Sequence, residues 1–141
     1  MEYKSPIVSS NKQEIKEIFN SIKTIAILGL SPNLNKPSYR VAKYLQEVGY
    51  RIVPVYPKED KILGEKVYRS LIEIPFEIDM VNVFRKPAVF DAIVDACIMR
   101  GDVKVFWGQQ GLVNNTAAKR AKNKGMKVVQ NLCAMIECHH M

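Results

Sequence analysis

Histidine is almost missing from this chain: the only two, His139 and His140, stand next to the final residue. A Ser-His-Asp constellation therefore has no histidine to build on within the body of the chain. The tail "CHH" offers three adjacent donors, which cannot all face one ion without an irregular backbone. A zinc site would also want a fourth ligand, so the tail reads as a frayed terminus. Cysteine is scarce too. Cys97, Cys133 and Cys138 are odd in number and follow no disulfide framework, which points to a reducing interior. No apolar run approaches the roughly 20 residues needed to cross a bilayer. The opening "MEYKSPIVSS" has no charged-then-apolar leader. A soluble cytoplasmic protein without a membrane partner is expected. Repeats and low-complexity linkers are absent, so 1–141 is read as one domain.

What is present is a globular composition, 48% hydrophobic and 25% charged, which excludes disorder. A chain of this length should bury roughly two thirds of its unfolded surface. The net charge of +7 points to an anionic partner, although it also serves solubility. No nucleic-acid-binding motif accompanies the charge, so no nucleic-acid partner is expected.

Short apolar runs alternate with helical patterns. A first helix starts near Ser10 or Asn11, with Gln13 or Glu14 completing a cap, and presents Ile15, Ile18, Phe19 and Ile22. Strands are expected at 24–28, 51–57, 80–84, 103–106 and 127–130, each apolar on both faces as in a sheet covered on both sides. Pro37 opens a helix with Val41, Leu45 and Val48 inward, ended by Gly49. Pro87 opens another with Val89, Ile93 and Cys97 inward, ended by Gly101. A fourth begins near Asn114 and stops at Gly125. Residues 58–79 read as irregular, with one helical turn at 70–73. This alternation predicts an α/β fold: a doubly wound, mainly parallel, five-stranded Rossmann-like sheet of order 2-1-3-4-5 with helices on both faces. Pro54 cannot donate to a ladder and suits the edge position this order gives its strand. In such a sheet, ligands bind past the carboxyl ends of the strands where the winding reverses, here between the first and third strands.

The stretch "ILGLSPNLNKPSYR", 27–40, is the loop at that reversal. It feeds a helix N-terminus, whose unpaired N–H groups and partial positive charge suit phosphate. Gly29 permits close approach. Ser31, Asn33 and Ser38 offer hydrogen bonds, and Lys36 and Arg40 add charge. An ordinary strand-to-helix turn uses the same residue types. The loop has one glycine where a dinucleotide fingerprint has three, and Lys58 follows the second strand where a ribose diol would want an acid. NAD is disfavoured, and a phosphorylated NADP-like ligand survives weakly. The Walker lysine motif is absent.

"IAILGLSPNLNKPSYRVAKYLQEVGYRIVPVYPK", "ILGEKVYRSLIEIP", "DMVNVFRKP" and "WGQQGLVN" together resemble the small stand-alone CoA-binding proteins. Their fold is similar to the CoA-binding domain of the succinyl-CoA synthetase alpha subunit. The resemblance spans roughly residues 20–137. It implies coenzyme A or an acyl-CoA as ligand. Gly29, Leu30, Ser31 and Pro32 would lie against the CoA phosphates, Lys58 at the charged nucleotide end, and Val83, Phe84 and Arg85 along the nucleotide and pantetheine path. Asn33, Lys36, Pro37, Ser38 and Arg40 extend this set by proximity. Tyr56 stands where relatives often carry asparagine. With no catalytic constellation in the sequence, a non-catalytic carrier, sensor or regulatory module is expected, the alternative being an NADP-linked reductase or a partial acyl-CoA enzyme.

Three further residues read two ways. Trp107 reads as a core residue capping the sheet, with stacking on a ligand as the alternative. Gln109 is a candidate hydrogen-bond partner for a ligand. Cys133 follows the fifth strand on the ligand side and reads first as a small buried hydrophobe; Cys97 is packing.

Overall fold

The computed structural model describes residues 5–141. Helix α1 (Lys12–Ser21) opens with a capping box in which Asn11 accepts from the Glu14 N–H and Glu14 accepts from the Asn11 N–H. The chain then runs through β1 (Thr24–Leu28), α2 (Pro37–Glu47), β2 (Arg51–Val55), a small hairpin of β3 (Lys61–Ile62) and β4 (Glu65–Lys66), and a 3-10 turn at Leu71–Glu73. It continues through β5 (Met80–Val83), a 3-10 turn at Pro87–Val89, α3 (Phe90–Arg100), β6 (Val105–Gly108), α4 (Asn115–Asn123), β7 (Lys127–Val129) and α5 (Ala134–His139).

The main sheet is all parallel in the order β2-β1-β5-β6-β7. This is the expected 2-1-3-4-5 arrangement, with the small hairpin accounting for the change in numbering. Alternate residues of each strand feed two separate cores. Ile25, Ile27, Met80, Val105 and Trp107 meet α1, α2 and α5 on one face. Ala26, Leu28, Val81, Val83 and Phe106 meet α3 and α4 on the other. β2 is an edge strand of this sheet, and the Pro54 carbonyl accepts from the Tyr68 N–H outside it. The proline's missing donor faces that edge, where no sheet strand needs it.

Several boundaries differ from expectation. The second strand stops at Val55 instead of 57, because the chain turns through Tyr56 and Pro57. The third ends at Val83, the fourth runs 105–108 rather than 103–106, and the fifth ends at Val129. Strands buried on both faces show no alternation that would fix their ends. Val48, expected inward, is 49% exposed, because it is the C-cap of α2. The inward stripe of α3 is Phe90, Val94 and Cys97; Val89 and Ile93 are only half-buried. The 3-10 turn at Pro87–Val89 leaves Val89 ahead of the α-helix, whose buried stripe starts at Phe90. The terminal "CHH" is not frayed: Cys138 is buried in α5, where burial pushes its thiol up.

Two ion pairs, Asp79 with the exposed Lys104 and Arg100 with the part-buried Asp102, brace the amino end of the sheet, away from the reversal loop. Asp79 accepts from the Lys23 and Thr24 N–H groups. Burial alone would raise its pKa, but those bonds and Lys104 outweigh it and hold the carboxyl below its usual range. Arg100 binds Asp102 and donates to the carbonyls of Leu71, Ile74 and Phe76, which anchors the segment leading into β5. No described helix is long and apolar enough to cross a membrane.

Candidate functional site

At the carboxyl edge, β1 hands the chain to the reversal loop through Gly29, whose φ of +86° lies in the left-handed region. Its N–H donates to the Val55 carbonyl, and the Phe84 N–H donates to the Leu28 carbonyl. The ends of β2, β1 and β5 are thus tied together at this glycine. A Cβ here would stand 3.0 Å from the Phe84 carbonyl oxygen and 3.1 Å from Arg85 Cδ. The glycine is required by close packing of protein on protein, besides any approach of a ligand.

The loop is held by a relay of its own polar groups. The Ser31 N–H donates to Ser38 Oγ, the Asn33 N–H to Ser31 Oγ, and the Asn35 N–H to Asn33 Oδ1. Arg40 donates to the Asn35 carbonyl. Such side-chain-to-backbone bonds pre-shape a turn. Ser31, Asn33 and Ser38 are therefore first of all loop-builders, and Ser38 is buried. The loop delivers the chain to Pro37 at the first position of α2. That helix has no side-chain cap and no acid in its first turn, and Lys36 sits at its N-cap. Helix α1 has its capping box and α4 its Asn114 cap. The α2 N-terminus, at the sheet's reversal, thus keeps its positive potential unanswered.

Two hollows flank this ridge. The first, about 290 Å³, lies on the α3 face. Leu28, Val55, Leu71, Val89 and Ile93 give it apolar walls, while Gly29, Tyr56, Arg69 and Arg85 stand at its polar rim. The second, about 430 Å³, lies on the α2 and α5 face, lined by Pro37, Arg40, Val41, Phe84, Gln109 and Cys133 among others. Phe84 and Arg85 are adjacent residues, so the chain leaving β5 separates the two hollows.

The structure thus brings Gly29, Tyr56 and Arg85 to one hollow and Pro37, Arg40 and Phe84 to the other. Ser31, Pro32, Asn33 and Lys36 lie on the connecting loop. Leu30 and Val83 are both 0% exposed and belong to the two cores, so only their backbone could meet a ligand. Lys58 is exposed on the turn after β2 and lines neither hollow.

Arg69 was not anticipated from the sequence. Its guanidinium Nη1 donates to the carbonyls of Tyr56, Lys58 and Glu59 at 3.1, 3.0 and 2.9 Å. It clamps the turn that carries Lys58 and also lines the first hollow. It reaches there because Tyr68 bridges to Val55, a pairing that the polar stretch 58–79 does not announce. Asn82, fully buried in mid-sheet, was likewise missed. The ion pairs among the described residues involve none of Lys36, Arg40, Lys58, Arg69, Arg85 or Lys86. These six cations sit at the carboxyl edge or in the turns beside it, without carboxylate partners among the described residues.

Trp107 is a core residue: it is 0% exposed, packs on Phe19 and donates from Nε1 to the Leu132 carbonyl. Cys97 is buried beneath α3, and burial pushes its thiol up to about 12. Cys133 is buried at the N-cap of α5 and forms part of the second hollow's wall. No group of three or more metal-capable side chains is found among the described residues.

A doubly wound parallel sheet with basic, uncapped apparatus at its switch point defines a nucleotide-type binding fold. Comparison with known proteins narrows the class. The family model described as "CoA binding domain" matches residues 23–139, and the chain belongs to that family. It is 43% identical over 126 residues to the Bacillus subtilis (strain 168) protein YneT, covering 89% of this chain and 93% of that one. It is 31% identical over 131 residues to the alpha subunit of ADP-forming acetate–CoA ligase I of Pyrococcus furiosus. That match covers 82% of this chain but 28% of the subunit. Among solved structures, a hypothetical protein from Pyrococcus horikoshii OT3 superposes with a TM-score of 0.89 at 38% identity, covering 99% of this chain and 98% of that one.

Proposed function

We propose that the protein binds coenzyme A, or a short acyl-CoA, across the carboxyl edge of the sheet, as a single-domain cytoplasmic carrier, sensor or regulatory module without catalysis of its own. The observation that carries this reading is the uncapped N-terminus of α2, beside Lys36 and Arg40 and between two partly apolar hollows. An isolated helix N-terminus next to lysine and arginine is electrostatically unfavourable by roughly 0.3–1 kcal/mol per charge. A bound pyrophosphate removes that penalty and takes up the free N–H groups.

In this reading the adenine enters the first hollow, where Leu71, Val89 and Ile93 offer an apolar bed. The ribose phosphate meets Arg69 and Arg85 at the rim and Lys58 on the exposed turn beyond it. The pyrophosphate crosses the loop from Gly29 to the start of α2, and the pantetheine passes Phe84 towards the second hollow. Family membership and the acetate–CoA ligase relatives support CoA over other nucleotides of the same length.

Native mass spectrometry of the purified protein, with and without added CoA, tests the proposal. A retained mass equal to one CoA, displaced by acetyl-CoA and not by NADP, is expected. Retention of NADP with no binding of CoA would transfer support to the reductase alternative.

A further inference from the structure

The second hollow contains a donor that the fold holds in place and leaves unused. Gln109 is only 6% exposed. Its Oε1 accepts from the Ala134 N–H and from Asn82 Nδ2, both at 3.2 Å. The Ala134 N–H can only donate, so the amide has one orientation: Oε1 towards α5 and β5, Nε2 the other way. Nε2 has no partner among the described residues, and Gln109 lines the hollow. Asn82 holds the arrangement from the middle of β5, and its own Oδ1 is buried without a partner. An unpaired polar atom in a sheet centre is costly. An apolar residue would pack at that position without it.

We propose that this hollow receives the acyl group of a short, uncharged acyl thioester, with Gln109 Nε2 donating to the thioester carbonyl oxygen. The proposal rests on CoA lying across the Gly29–Phe84 ridge as described above. A fixed neutral N–H donor calls for an acceptor oxygen. The free thiol of CoA is a weak acceptor and leaves the donor unsatisfied. Val41, Phe84, Leu112 and Met135 supply apolar walls that suit a methyl or branched alkyl group. Arg40, the one cation on the wall, lies beside the α2 N-terminus that the pyrophosphate takes in the reading above. A carboxylated acyl group would have to share it and would lose more solvation than it regains. Each buried methylene adds about fourfold in affinity, and the hydrogen bond about fivefold.

The test is calorimetry of the whole protein with CoA, acetyl-CoA, isobutyryl-CoA and succinyl-CoA. Isobutyryl-CoA should bind at least about tenfold more tightly than CoA, and succinyl-CoA no more tightly than acetyl-CoA. Gln109→Glu keeps acceptors for Ala134 and Asn82 and removes the donor. The ratio of isobutyryl-CoA to CoA affinity should then fall about fivefold. Leu112→Trp fills the hollow from its half-buried wall and should bring the ratio near one. Equal binding of CoA and all three thioesters by the unmodified protein would overturn the acyl site and leave CoA binding standing. Binding of none would overturn both. A ratio abolished by Leu112→Trp and unmoved by Gln109→Glu would overturn the role of Gln109.

Discussion

Replacing Gly29 by alanine tests the geometry of the ridge, with Gly101 as the reference. Both glycines are left-handed, at φ +86° and +80°. An L-residue in that region costs about 1 kcal/mol. A Cβ on Gly101 meets nothing within 4 Å, so Gly101→Ala should cost that amount and no more. The Cβ of Gly29→Ala would press on the Phe84 carbonyl oxygen at 3.0 Å, a backbone atom of the residue whose N–H donates to the Leu28 carbonyl at the end of β1. Overpacking of this kind adds roughly 1–3 kcal/mol. Relief requires the ends of β1 and β5 to part, which also misaligns the loop. Urea denaturation should show Gly29→Ala destabilised by about 2–4 kcal/mol in all. Titration calorimetry should show its CoA affinity down at least about tenfold, with Gly101→Ala unaffected. Equal midpoints and equal CoA affinities for the two variants would refute the close-packing argument.

Lys58→Ala should weaken CoA binding about tenfold or more, through a lost charge-assisted phosphate contact, and Arg69→Ala at least as much because the clamp goes too. Lys86→Ala should change it far less, and equal affinities for the two lysine variants would remove Lys58 from the site. Asp79→Ala should cost roughly 1–3 kcal/mol at neutral pH. Because folding lowers the Asp79 pKa, its contribution is present above the unfolded value of about 3.9 and fades as pH falls through the folded value. The stability gap between wild type and variant should therefore narrow at pH 3, and an unchanged gap would contradict the hydrogen-bonding assignment. Iodoacetamide should modify Cys133 ahead of Cys97, with CoA protecting Cys133. Cys97 is 2% exposed with its thiol pushed up to about 12, so peptide maps led by Cys97 would contradict the placement of Cys133 on the ligand side.

The sheet order was readable because the physics behind it is local. Apolar runs of strand length alternate with capped helices, right-handed crossovers leave few topologies, and Pro54 marks an edge. Strand ends were not readable, since Val103 and Lys104 look as strand-like as the Trp107 and Gly108 that pair instead. The reversal loop and the cations near it were also visible, but not the division of labour among them. Whether Ser31 and Ser38 face a ligand or each other depends on seven residues of loop conformation. Arg69 and Asn82 were hidden for another reason. Each acts through contacts with residues 10 to 27 positions away, and neither stands in a pattern that marks it.

Competition calorimetry of CoA, dephospho-CoA and NAD at low and high salt puts the ligand assignment at risk most directly. All three carry adenosine and a pyrophosphate, so the α2 N-terminus alone treats them alike. Only CoA carries the ribose 3′-phosphate that Arg69, Arg85 and Lys58 would meet. CoA should bind at least about tenfold more tightly than dephospho-CoA, and clearly more tightly than NAD, with the first gap narrowing as salt screens the phosphate. NAD binding as tightly as CoA would contradict the assignment and leave the loop a general pyrophosphate cradle.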